Sequence, residues 1–91
     1  MNEREGCDEY RYDLIPEKPL KEVARAYGIG AKKHSDVDRG ERSWEFGVLC
    51  DKLERHWKKF RYTGVKHDEE GQHHLAAVII RAMQLLELEG V

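Results

Sequence analysis

Apolar residues recur at steps of three and four in three separate parts of the chain, and each run reads as one amphipathic helix. From about 17 to 33 the run is Leu20, Val23, Ala24, Tyr27 and Ala31. Pro16 stands just ahead of it, where a fixed φ suits helix entry. Gly28 and Gly30 lie in its far end, so either a break or a close packing contact is expected there. The second run, 44–61, opens on Ser43 as N-cap with Glu45 close behind. It carries an apolar stripe of Phe46, Leu49, Leu53, Trp57 and Phe60, and Gly64 stops it. The third run is the most apolar, with Leu75, Val78, Ile79, Ala82, Leu85 and Leu86, and it ends near Gly90. The polar segment 35–43 reads as a loop. No stretch alternates with the period of a strand, and no segment repeats. The expectation is an all-α fold of three main helices in a single domain over 14–91. Residues 1–13, with seven charged residues and no apolar period, read as a flexible amino-terminal arm.

Composition changes this picture in two ways. At 91 residues, 40% hydrophobic and 37% charged, one chain can bury only a modest core. Part of its apolar surface is expected to be shared in a homo-oligomer. The formal net charge of −2 argues against general binding to nucleic acid, which would have to rest on a local basic patch. No apolar run approaches the ~18 residues of a membrane span, and a cytoplasmic location is expected. Cys50 shares the stripe of Phe46, Leu53 and Trp57 and reads as a buried reduced thiol, whereas Cys7 sits in the charged arm.

The densest candidate chemistry is HDEEGQHH, residues 67–74. Asp68 and Glu70, two apart in a loop, can converge in a turn, and His74 begins the helix that follows. Carboxylates suit Mg²⁺ or Mn²⁺, and an imidazole adds affinity for the latter. His56 borders the stripe of the second helix. If the second and third helices pack antiparallel, it approaches His74 and the acidic loop. The competing reading is a solvated acidic loop that complements the positive end of a helix. Lys32, Lys33 and Arg55 are of the type that holds phosphate, or they belong to a solvated basic face. Tyr27 and Trp44 can stack on a base or serve in the core. Several known signatures fail. No aspartate follows Asp68, HExxH is absent, no EF-hand begins at Asp68, and Asp51 and Glu54 give only DxxE.

The order of motifs adds to this. RYDLIP (11–16), EVARAYGIGAKKH (22–34), SW (43–44), LERHW (53–57), DEEGQHHLA (68–76) and LLELE (85–89) resemble the phage-associated dATP/dGTP diphosphohydrolase amino-terminal domain family. The resemblance covers about 11–89. It implies an all-helical fold and a metal-dependent reaction, with Mg²⁺ or Mn²⁺, that converts dATP or dGTP to the monophosphate and pyrophosphate. It carries over Arg11, Asp13, Tyr27, Gly28, Lys32, Lys33, Trp44, Arg55, His56, Asp68, Glu70 and His74. The expected roles are His56, Asp68, Glu70 and His74 for catalysis, with Asp68, Glu70 and His74 on the metal. Lys32, Lys33, Arg55, Tyr27 and Trp44 would hold the purine nucleotide. The chain departs from the family pattern at Ser43, at Ala77 in place of a histidine, in a longer 35–43 loop and in an acidic loop one residue shorter. The alternative is a non-catalytic protein that sequesters a host signalling nucleotide, cyclic or linear.

Overall fold

The computed structural model describes residues 9–34 and 45–90. Among them are three α-helices: α1 (Glu17–His34), α2 (Phe46–Lys58) and α3 (His74–Leu88). A 3₁₀ turn, Tyr12–Leu14, precedes α1, and a π turn, Lys59–Thr63, extends α2. The all-α expectation holds. The loop 35–43, Ser43, Trp44 and most of the expected arm lie outside the described residues. Residues 11–13, read as part of that arm, enter the 3₁₀ turn, and Arg11 donates to both carboxylate oxygens of Asp13 at 2.9 and 2.8 Å.

Helix α1 runs through Gly28 and Gly30 without a break, and the space beside each is open. Neither expectation for these glycines is met. The other sixteen residues of this 18-residue helix outweigh a propensity penalty of ~1 kcal/mol per glycine. Helix α2 starts at Phe46, two residues later than expected. Its N-cap is Glu45, which makes no side-chain capping hydrogen bond. At its far end the Thr63 hydroxyl donates to the Lys59 carbonyl and accepts from Val65 N–H. Gly64 then takes φ +74°, a left-handed conformation in which glycine escapes the Cβ clash that stops other residues. The expected stop is therefore real.

Helix α3 packs against both α1 and α2, while among the described residues α1 and α2 do not pack on each other. One cluster, Val23, Ala26, Ala76 and Ile80 with Tyr27 against it, joins α1 to α3. Leu49 is the buried apolar residue of α2. The stripes predicted from periodicity are rotated in part. On α1 the buried pair is Val23 and Ala26, while Leu20 is 52% exposed. On α3 the buried face is His74, Ala76, Ala77, Ile80 and Gln84, and the larger Ile79, Met83 and Leu86 are 41–52% exposed. Small residues let α3 approach two neighbours at once, and several of its bulky residues are left partly exposed.

Candidate functional site

HDEEGQHH folds as a tight, self-bonded loop. His67 and His73 form an antiparallel bridge, and Asp68 N–H donates to the Gln72 carbonyl at 2.9 Å. The Asp68 Oδ1 accepts from the amides of Glu70 (3.0 Å) and Gln72 (2.9 Å). Gly71 closes the turn at φ +88°. A side-chain oxygen that takes two loop amides supports the turn directly. The Asp-x-x-Gly spacing of 68–71 was the sequence signal for this turn.

The loop is docked onto α1 by three side chains. Arg25 donates to the Gly71 carbonyl at 3.0 Å, and Gln72 donates to the Ala26 carbonyl at 3.4 Å. Lys33 pairs with Glu70 at 3.2 Å. Both partners of that pair are about half exposed, so solvent screens it and it is weak.

On the other side the loop delivers α3. His73 is its N-cap, and its Nδ1 accepts from Leu75 N–H at 3.0 Å. Partial burial and the neighbouring His67 push His73 below the usual histidine range, which keeps Nδ1 able to accept. His74, next in line, is 2% exposed. Its Nδ1 lies 2.8 Å from His56 Nδ1, with ring centroids 5.1 Å apart. One ring must donate and the other accept. Burial, then the charges of His74, Arg81 and Arg55, lower His56 to about 4, and Asp68 opposes them. The pair ties α2 to α3.

The expected site residues thus fall into two groups around one loop. His56 and His74 meet, with Asp68 near enough to bear on His56. Lys33 and Glu70 meet on the α1 side. Arg55 and Lys32 are exposed. Tyr27 is half-buried, with its hydroxyl 4.0 Å from Met83 Sδ, and so leans toward the core role. Trp44 lies outside the described residues. Asp68, Glu70 and His74 do not converge. Among the described residues no group of three or more His, Cys, Asp or Glu is arranged to hold a metal ion. Periodicity missed the cap role of His73 and the docking by Arg25 and Gln72. It also missed the pair of Arg81 and buried Gln84, whose i,i+3 spacing in an apolar helix was a legible sign.

No described helix is long and apolar enough to cross a membrane. The family model described as dATP/dGTP diphosphohydrolase, N-terminal, matches residues 2–90. None of the curated proteins and none of the solved structures matches the chain.

Proposed function

We propose a function from one premise: this chain belongs to the dATP/dGTP diphosphohydrolase N-terminal family. The reading is hydrolysis of a purine deoxynucleoside triphosphate to the monophosphate and pyrophosphate, and the match over residues 2–90 carries it. Lys32, Lys33 and Arg55 hold phosphate oxygens and oppose the charge that gathers on the departing pyrophosphate. A phosphate arriving at Lys33 competes with Glu70 for a weak, exposed ion pair, and so frees that carboxylate as it binds. His56 is neutral near pH 7 and a weak base there, since its value lies at about 4. A base that weak serves better to orient a neighbour than to accept a proton, so His56 positions His74.

Mg²⁺ or Mn²⁺ would supply a polarised phosphate and an activated water. Asp68, Glu70 and His74 do not fit such an ion as they stand. Asp68 Oδ1 is spent on two amides, Glu70 is on Lys33, and His74 is on His56. That engagement favours a second reading, in which the chain binds a purine nucleotide without turning it over. The exposed Ile79, Met83 and Leu86 on α3 support a homo-oligomer in either case.

Purified protein incubated with dATP or dGTP, with Mg²⁺, Mn²⁺ or EDTA, separates the two readings by ion-exchange chromatography of the products. Metal-dependent dAMP or dGMP with pyrophosphate, lost in Asp68→Asn, supports the hydrolase. Asparagine is the right probe because it keeps the Oδ1 acceptor that the loop needs and removes the charge. Intact nucleotide with saturable binding supports the second reading. Neither products nor binding would remove both.

A further inference from the structure

A second surface, apart from the loop, has chemistry of its own. Residues 57–66, WKKFRYTGVK, hold Lys58, Lys59, Arg61 and Lys66, three aromatic rings and no acid. Four positive charges here, against a chain total of −2, leave −6 for all other residues. The segment is therefore net basic in a chain that is otherwise net acidic. All four cations are exposed, and among the described residues none of them forms an ion pair. The cations at the end of α2 complement its dipole, but that accounts for neither the rings nor Arg61 and Lys66 beyond it.

The rings are presented rather than buried. Tyr62 is 71% exposed and Trp57 is 40% exposed. Trp57 stacks on Phe60 (centroids 6.3 Å, planes at 27°), and Phe60 is braced by His73 at 5.9 Å. The guanidinium of Arg61 lies 5.2 Å from the centre of the Tyr62 ring. The π turn at Lys59–Thr63 closes i to i+5, a geometry that recurs at functional sites. Backed aromatic faces among unpaired cations match single-stranded nucleic acid, whose bases stack on rings while its backbone follows the charge. A lipid surface could take the same charges and rings, so vesicles stand as the competing outcome in the test.

We propose that the π-turn surface, Trp57, Lys58, Lys59, Arg61, Tyr62 and Lys66, binds single-stranded nucleic acid without sequence preference. This goes beyond the nucleotide reading and does not depend on it. The test is fluorescence anisotropy of a labelled oligo(dT) titrated with the full chain. Three or four phosphate contacts weaken binding about 20- to 50-fold between about 50 and 200 mM salt. Lys58→Gln with Lys59→Gln lowers affinity about tenfold and flattens the salt slope. Tyr62→Ala lowers affinity about tenfold and leaves the slope unchanged. Excess dATP does not displace the oligonucleotide. Absent or salt-independent binding overturns the proposal, and so does displacement by dATP, or phosphatidylserine vesicles bound where the oligonucleotide is not. Far-UV circular dichroism checks the double variant; if it is misfolded, Tyr62→Ala and the wild-type salt slope decide.

Discussion

His74 shows how one residue type can be placed for packing and still sit at a site. It occupies the first turn of α3, out of solvent, with its Nδ1 satisfied by His56. The approach of these two rings was legible only as a condition: His56 borders the stripe of α2, and it meets His74 if α2 and α3 pack antiparallel. The engagement of Asp68 was legible only in part: Asp-x-x-Gly at 68–71 marks a turn, but a carboxylate before a helix looks the same whether it meets a metal, the helix dipole or its own loop. The tie between the histidines has a pH signature. His56 is held at about 4 in the folded chain, against about 6.5 unfolded. Between those values the unfolded chain binds more protons, so stability falls as pH drops from 6.5 toward 4. Below about 4 this contribution is gone, and above 6.5 it is constant. His56→Gln removes the titrating ring and can keep a hydrogen bond to His74. Urea midpoints across pH 4–7 should therefore fall less steeply in the variant, and equal slopes would assign the effect to other groups.

Among the elements, the 67–73 loop carries the most consequence, since it ties α1 to the start of α3. Asp68→Ala leaves the amides of Glu70 and Gln72 without their acceptor and is expected to cost about 1–2 kcal/mol. Asp68→Asn should cost clearly less. Gly71→Ala forces a side chain into φ +88°, at about 1–2 kcal/mol. Its new Cβ also meets Arg25 Nη2 at 3.5 Å, an ordinary contact, so the cost is conformational rather than steric. Thermal melts check all three, with about 4–8 °C expected per kcal/mol in a domain this small. Gly64 and Gly71 show their roles through positive φ, whereas Gly28 and Gly30 sit in helix with open space around them. A glycine in sequence has both meanings, and only the local backbone distinguishes them.

For the whole molecule, the buried apolar residues among those described are Val23, Ala26, Leu49, Ala76, Ala77 and Ile80, half of them alanine. Ile79, Met83 and Leu86 follow one another at steps of four and three on the outer side of α3, a spacing that suits pairing with another helix. Sedimentation should show a species larger than one chain. Ile79→Lys with Leu86→Lys should shift it toward monomer with helicity kept, and a monomeric wild type would remove the homo-oligomer reading. Helix number, helix type and the stop at Gly64 followed from periodicity and turn chemistry, which act over a few residues. The choice of buried face did not, because α3 carries apolar residues on most of its circumference. Two neighbours had to fit against it, and alanines at 76 and 77 allowed that where isoleucine and methionine would not. The same packing brought His56 to His74 and Glu70 to Lys33. Those pairings depend on distances between segments far apart in the chain, and no local pattern encodes them.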